Sequence, residues 1–290
     1  MKTNYYKNFD FTKATSLIKL ALKEDIGRGD VTSNYLIPKH SSSKAFLVFK
    51  DKGIIAGLRI FKLVFNIIDP EIKTNFFVKE GDLIKYKKRI GLVEGNTRSI
   101  LKGERVALNI LQRMSGIATN IWELKRKLRN DKIEILDTRK TTPNFRLFEK
   151  LAVVIGGGTN HRFGLYDMIL VKDNHIEACG GIENTLKKLS KIKPRTKLKI
   201  EVEVKNLSEL KIIKDLGEGI VDIVMLDNFK IEDIKTAVKI INGKFKVELS
   251  GSINSKNIKK YRELDGVNFI SSGSITHTYR SLDISLDFFT

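Results

Sequence analysis

Arg139, Lys140, Arg146, His161, Arg162, Lys172 and His175 crowd the stretch from Ile133 to Ile176. Most stand at the end of an apolar run or in the turn after one. Ile133-Glu134-Ile135-Leu136 runs into Asp137-Thr138-Arg139-Lys140, and Met168-Ile169-Leu170-Val171 runs into Lys172-Asp173-Asn174-His175. Read as neighbouring parallel strands, these runs put several cations around one cavity at their C-terminal ends. Such a cavity suits a small ligand with more than one negative charge. Arginine fits the task because its planar fork grips a carboxylate with two hydrogen bonds. Taken singly, each residue reads more readily as surface charge than as a ligand. Their clustering beside Gly156-Gly157-Gly158 favours a site.

Acidic and small residues extend the pattern. Glu201 and Glu203 alternate with valines and so face one side of a strand. A carboxylate facing a barrel interior needs a partner, either a barrel lysine or a ligand. Asp227 closes the run Ile223-Val224-Met225-Leu226. Glu203 and Asp227 together suit sugar hydroxyls, held directly or through Mg²⁺ with its oxygen and water ligands. Two turns follow later runs: Ser250-Gly251-Ser252 and Ser272-Gly273-Ser274. Small residues let backbone amides approach an oxyanion, and a helix starting after them favours negative charge. The loops after the last strands of α/β barrels often bind phosphate. Cationic pocket, acidic pair and phosphate cradle together suit an anionic acceptor, a ribose diphosphate and a 5′-phosphate.

The elements that must hold these residues are legible from periodicity. After Asp131, short β-like runs at Ile133–Leu136, Met168–Val171, Leu198–Val204, Ile223–Leu226, Lys246–Leu249 and Val267–Ser271 alternate with helical stretches. The helices are expected at Ile182–Lys193, Ser208–Leu216, Ile231–Ile241 and Ser255–Leu264. That alternation implies a parallel sheet, closed or nearly closed into a barrel. A doubly wound sheet is the alternative, but no G-x-G-x-x-G turn follows a first strand. Upstream, Thr15–Asp25 and Leu58–Ile68 read as helices, and Ser43 to about Glu94 reads as β-rich. An apolar stripe from Leu108 to Leu128 makes Gly103–Arg129 helical, with a break expected at Ser115-Gly116. Arg105, placed near the start of that helix, reads on physics alone as a solvated arginine.

Composition bounds the rest. The 290 residues, 41% of them hydrophobic, suffice for one large domain or two moderate ones. No apolar run nears the ~18 residues that suggest a membrane span. The N-terminus lacks a signal-peptide centre, and Cys179 is the single cysteine, so a cytoplasmic protein without a disulfide framework is expected. The net charge of +19 raises nucleic-acid binding. The excess is mostly dispersed lysine without interleaved aromatics, so solvated faces explain it better and no nucleic-acid partner is expected.

The motifs then gain a collective meaning. Gly103-Glu104-Arg105-Val106-Ala107-Leu108-Asn109, Leu136 to Pro143, Gly156 to Arg162, Leu165 to Ile176, Glu201-Val202-Glu203-Val204 and Leu226-Asp227-Asn228-Phe229 resemble the quinolinate phosphoribosyltransferase family nearly throughout. The resemblance implies an α/β protein, an N-terminal α+β sandwich over 1–115 packed on an incomplete α/β barrel over 116–276. The tail, 277–290, rejoins the first domain. It implies quinolinate and phosphoribosyl pyrophosphate as substrates, with Mg²⁺. Thr138, Arg139, Lys140, His161, Arg162 and Lys172 are implied to hold quinolinate. Lys140, Glu203 and Asp227 are implied to be catalytic, with Glu203 and Asp227 also nearest the metal. Ser250, Gly251, Ser252, Ser272, Gly273 and Ser274 match the family's phosphate loops. Arg105 is implied to cross to the partner subunit's pocket in a homodimer, or in a hexamer built of dimers. A paralogue associated with molybdenum transport shares the fold, but the full cationic set disfavours it. Three positions depart from the family: Ser252 and Asn144 replace usual glycines, and Ser272 a usual apolar residue. Asparagine tolerates the left-handed conformation that glycine would supply at 144.

Overall fold

A computed structural model describes residues 4–289. Helices α1 (Phe11–Ile26) and α2 (Val31–Leu36) precede strands β1 (Ser42–Phe49) and β2 (Gly53–Ile54). Then come α3 (Leu58–Ile68), β3 (Lys73–Phe76), β4 (Leu83–Ile84), β5 (Lys88–Asn96) and α4 (Thr97–Leu128). The alternating half starts with β6 (Glu134–Leu136), α5 (Arg146–Ile155), β7 (Ile169–Val171), α6 (Asp173–Ala178) and α7 (Ile182–Ile192). It continues through β8 (Ile200–Val204), α8 (Leu207–Leu216), β9 (Ile223–Asp227), α9 (Ile231–Ile241) and β10 (Lys246–Ser250). The chain closes with β11 (Phe269–Ser271), α10 (Ser274–His277) and β12 (Ile284–Phe289).

Two compact units result, and they interleave along the chain. One holds the chain up to Trp122, Thr141–Gly157 and the segment from Thr278; the other holds Glu123–Lys140 and Gly158–His277. Helix α4 runs unbroken through Ser115-Gly116, where a break was expected, and the first compact unit follows it as far as Trp122. Those residues serve packing instead. A Cβ on Gly116 would lie 2.2 Å from the Arg280 carbonyl oxygen, so only glycine admits that chain. The Ser115 hydroxyl accepts the Ala56 amide at 3.1 Å. Arg105 sits well inside this helix rather than in its first turn, so the helix dipole has little hold on it.

The first unit is built on an antiparallel sheet in the order β12-β1-β5-β3. Leu47 of β1 lies opposite Leu286 of β12, which fastens the tail to this unit. Helix α3 buries Leu58, Ile60, Phe61, Val64 and Phe65, the stripe expected of it. Gly156 packs α5 on α4: a Cβ there would come within 2.4 Å of the Ala118 carbonyl oxygen. The triple glycine is therefore a helix-packing device at Gly156 and a turn at Gly157, whose φ is 91°. Asn144 adopts φ 62°, the left-handed conformation anticipated for it.

The second unit is a six-stranded parallel sheet in the order β6-β11-β10-β9-β8-β7, the incomplete α/β barrel that the alternation implied. β6 and β7 are its two edges, not neighbours. Edge strands leave backbone groups unpaired, and here the loop residue Thr159 meets that need at β6. Its amide donates to the Ile135 carbonyl at 2.9 Å, and the Asp137 amide donates to its carbonyl at 3.2 Å. Three residues on, the Arg162 guanidinium donates through Nη1 to the Met168 carbonyl at 3.3 Å, just before β7. Helices α7, α8 and α9 bury Leu186, Leu210 and Ile234, among others, as their spacing required. The helix expected over Ser255–Leu264 does not form; only a 3-10 turn, Ile258–Tyr261, occurs. Ile258 and Leu264 are its buried apolar anchors, at a separation that no helical stripe repeats.

Candidate active site

Parallel strands deliver their C-terminal ends to one rim. β6 is followed by Thr138, Arg139 and Lys140, and β7 by Lys172. Glu203 lies near the end of β8, opposite Met225 of β9, which in turn lies opposite Glu248 of β10. Asp227 ends β9 opposite Ser250, the last residue of β10. β11 ends at Ser271, immediately before the second serine-rich turn. The residues read as chemical in the sequence of this unit thus share one end of one sheet, although β6 and β7 do not pair.

The rim is positively charged and partly buried. Burial, and then the positive charge of Arg139, hold Arg162 below the ordinary arginine value; Glu201 and Asp167 oppose the shift. Guanidiniums within each other's field cost energy that an anionic ligand recovers. The Lys172 ammonium lies 2.7 Å from Glu203, the lysine partner allowed for in the sequence reading. Glu203 is nearly buried while Lys172 is about half exposed, so screening limits the pair's worth to ~1 kcal/mol. Lys140 is set by its turn. Its amide donates to the Thr138 hydroxyl at 3.0 Å, and its carbonyl accepts from the Thr276 hydroxyl at 2.7 Å. Its methylenes lie over Gly273, where a Cβ would come within 2.7 Å of the Lys140 Cδ.

His161 occupies an interior position. Its amide donates to Asp137 at 2.9 Å, and its Nδ1 accepts the Arg162 amide at 2.7 Å. Its Nε2 lies 3.0 Å from Glu201 and 3.5 Å from Glu248, with the ring 7% exposed and both carboxyls fully buried. Burial pushes Glu201 up to about 7. Burial, and then the charge of Glu201, push Glu248 up to about 8. Their oxygens have no well-aligned donor among the described residues. Buried carboxyls this close hold a proton between them rather than two charges. Glu248 and Asp137 escaped the sequence reading. The available signal was parity, since Glu248 alternates with Val247 and Leu249 just as Glu201 does with its valines.

The serine-rich turns are joined to each other. The Ser272 hydroxyl donates to the Ile253 carbonyl at 2.5 Å and sits 2.8 Å from that of Ser274. Ser272 is buried, so its hydroxyl links the two turns. Gly251 has φ 110°, and a Cβ there would lie 2.3 Å from the Asn228 amide oxygen. Ser252 is exposed with φ 48°, and its carbonyl accepts from the side chains of Asn254 and Asn257, each at 3.0 Å. The helix expected after the first turn is absent, and α10 after the second has four residues. What these turns offer an anion is backbone amides and hydroxyls rather than helix dipoles.

Other residues singled out in the sequence lie elsewhere. The Arg146 Nε donates to the Thr141 hydroxyl at 2.8 Å in the first unit, at the start of α5. The His175 Nδ1 accepts the Lys172 amide at 2.9 Å and so closes the first turn of α6. Arg105 is exposed on α4.

Comparison with known proteins bears on this geometry. The chain matches family models described as quinolinate phosphoribosyl transferase, N-terminal domain, over residues 30–115, and C-terminal domain, over 117–287. It is 41% identical over 289 residues to the chloroplastic nicotinate-nucleotide pyrophosphorylase [carboxylating] of Arabidopsis thaliana, covering 93% of this chain and 81% of that protein. It is also 41% identical over 264 residues to the probable nicotinate-nucleotide pyrophosphorylase [carboxylating] of Bacillus subtilis, covering 91% and 89%. The solved structure of NadC from Streptococcus pyogenes superposes with a TM-score of 0.91 at 38% identity, covering 98% of this chain and all of that one, 100%.

Proposed function

Because this chain belongs to the quinolinate phosphoribosyltransferase family, we propose that it joins quinolinate to the ribose of phosphoribosyl pyrophosphate. The products are nicotinate mononucleotide, pyrophosphate and carbon dioxide. The observation that supports the residue assignment is the delivery of Arg139 and Lys140 after β6, and of Lys172 after β7, to the same end of one parallel sheet. Thr138, Arg139, Lys140, Arg162 and Lys172 then line the quinolinate pocket, with His161 behind Arg162. Glu203 and Asp227 face the ribose, and the turns at Ser250–Ser252 and Ser272–Ser274 take the 5′-phosphate.

The chemistry follows from charge. The cations orient the pyridine nitrogen toward the anomeric carbon. Positive charge developing on the ribose as pyrophosphate departs is stabilised by the carboxylates of Glu203 and Asp227. Glycosylation makes the ring nitrogen cationic. As carbon dioxide leaves, the electron pair of the carbon–carboxylate bond stays on the ring carbon beside the cationic nitrogen, and that carbon takes a proton from water to give nicotinate mononucleotide. Lys140, exposed beside Gly273, is placed to follow the charge of that carboxylate.

Mg²⁺ fits the donor set. Asp227 is partly exposed and accepts only a neutral amide, from Asn228 at 2.7 Å, among its hydrogen-bond donors in the described residues. Glu203 already holds Lys172, which favours an indirect hold on the ion through water. Bound there, the metal would supply charge neutralisation to the departing pyrophosphate.

The exposed position of Arg105 on α4 supports its use by a partner subunit's pocket in a homodimer or in a hexamer of dimers. Among the described residues no helix is long and apolar enough to cross a membrane. With a single cysteine, the cytoplasm is the compartment we assign. The test is an assay with quinolinate, phosphoribosyl pyrophosphate and Mg²⁺. Stoichiometric release of carbon dioxide and nicotinate mononucleotide supports the reading, and no turnover of quinolinate overturns it.

A further inference from the structure

His161 is tied on three sides. Asp137 holds its amide, Arg162 donates its own amide to the ring Nδ1, and Glu201 and Glu248 face Nε2. A nitrogen that accepts an N–H bond carries no proton, so the ring proton resides on Nε2. That nitrogen lies beside the buried carboxyl pair, 3.0 Å from Glu201 and 3.5 Å from Glu248. The nearest ligand-atom positions of His161, Glu201 and Glu248 lie within 4.8 Å of one another, a spacing a divalent cation accepts. Because Nδ1 accepts an amide and cannot take the ring proton, a metal on Nε2 would require an imidazolate, so the arrangement favours a strut over a metal centre.

We infer that Glu201 and Glu248 are positioning residues: through His161 they fix the Arg162 backbone, and with it the guanidinium that grips a pyridine dicarboxylate. The inference rests on the quinolinate reading of the pocket. Arg162 is held at both ends, its amide by His161 and its Nη1 by the Met168 carbonyl at 3.3 Å. Loss of the first anchor leaves the guanidinium swinging about the second. Arg162, Lys172 and Glu203 lie in the field of Glu201, and Ser271 lies beside Glu248. The carboxyl pair thus addresses His161 from strands β8 and β10, across the barrel interior. Neither carboxyl has to contact a substrate for this to work.

Two measurements on the full-length enzyme decide the matter. Long-range ¹H–¹⁵N correlation spectra, assigned with His161→Gln, are expected to show His161 with Nε2 protonated and Nδ1 bare. Nδ1 protonation, a doubly protonated ring or a metal-shifted Nε2 overturns the inference, and this readout needs no carboxyl variant to fold. In kinetics, Glu201→Leu and Glu248→Leu should each raise the quinolinate KM about tenfold through misplacement of Arg162, with the phosphoribosyl pyrophosphate KM unchanged. Glu201→Gln and Glu248→Gln, whose carbonyls still accept the Nε2 proton, should restore the wild-type quinolinate KM. Leucine variants with wild-type KM, or glutamine variants as impaired as leucine, overturn the strut. Arg162→Ala separates the two layers. If it leaves the quinolinate KM unchanged, the pocket reading fails; if it raises that KM while the leucine variants do not, only the strut fails.

Discussion

At the scale of single residues, the barrel interior stores its charge as a proton-sharing pair. Glu248 has an ordinary value of 4.5 and is raised to about 8 by burial and then by Glu201. Its folded form therefore keeps a proton that the unfolded chain releases. The stability this contributes is full below about pH 4.5 and is lost as pH rises through about 8. Wild-type protein is expected to lose Tm steadily across that window. Glu248→Gln, which cannot ionise, should show a shallower slope and a higher Tm than wild type at pH 8. Parallel slopes in thermal melts of the two proteins would contradict the assignment. The sequence made Glu201 and Glu203 visible because alternation with valine puts them on one face. Glu248 obeys the same rule in a shorter run, Lys246-Val247-Glu248-Leu249. It was passed over because its partner, His161, is distant in sequence and is brought to it only by closure of the barrel.

At the scale of elements, α4 shows how a local signal misleads. Ser115-Gly116 has the composition of a helix break, yet the helix is continuous and the glycine is required by the Arg280 backbone. Gly116→Ala sets two effects against each other. Helix propensity alone favours alanine by ~1 kcal/mol. A Cβ placed 2.2 Å from a carbonyl oxygen forces backbone movement, with overpacking costs of ~1–3 kcal/mol. The net expectation is destabilisation, read as a lower denaturant midpoint at unchanged m-value. A stabilised Gly116→Ala protein would mean that the close approach does not exist. The alternating strands and helices were legible because each carries its own apolar period. The placement of β6 and β7 at opposite edges was not, since strand order depends on which edges the sheet leaves open. The Ser255–Leu264 segment failed for a related reason: its polar composition permits a helix, but its apolar residues lack a common face.

At the scale of the whole molecule, the proposed sharing of sites between subunits has a direct consequence. If Arg105 serves the partner's pocket, Arg105→Ala and Arg139→Ala proteins are each impaired at every site. Subunit exchange between them builds some mixed dimers with one intact site. Mixing equal amounts should restore about a quarter of wild-type activity by random pairing. Absence of recovery, with exchange verified by mass, would place Arg105 outside the partner's site. The family's fold was legible from motifs that stand at strand ends, because parallel strands bring such ends together whatever their order. The interleaving of the two units was not, because it rests on where Thr141–Gly157 packs rather than on its composition.

The proposed hold of the rim guanidiniums on a doubly charged pyridine acid is electrostatic. It is tested most directly by the quinolinate dependence of Arg139→Ala turnover at saturating phosphoribosyl pyrophosphate. Loss of one charge-assisted carboxylate contact, ~1.5–3 kcal/mol, predicts a quinolinate KM raised by roughly ten- to a hundredfold. The phosphoribosyl pyrophosphate KM should stay within about twofold of wild type, since the claim puts Arg139 on the other substrate. A wild-type quinolinate KM in that variant would contradict the account.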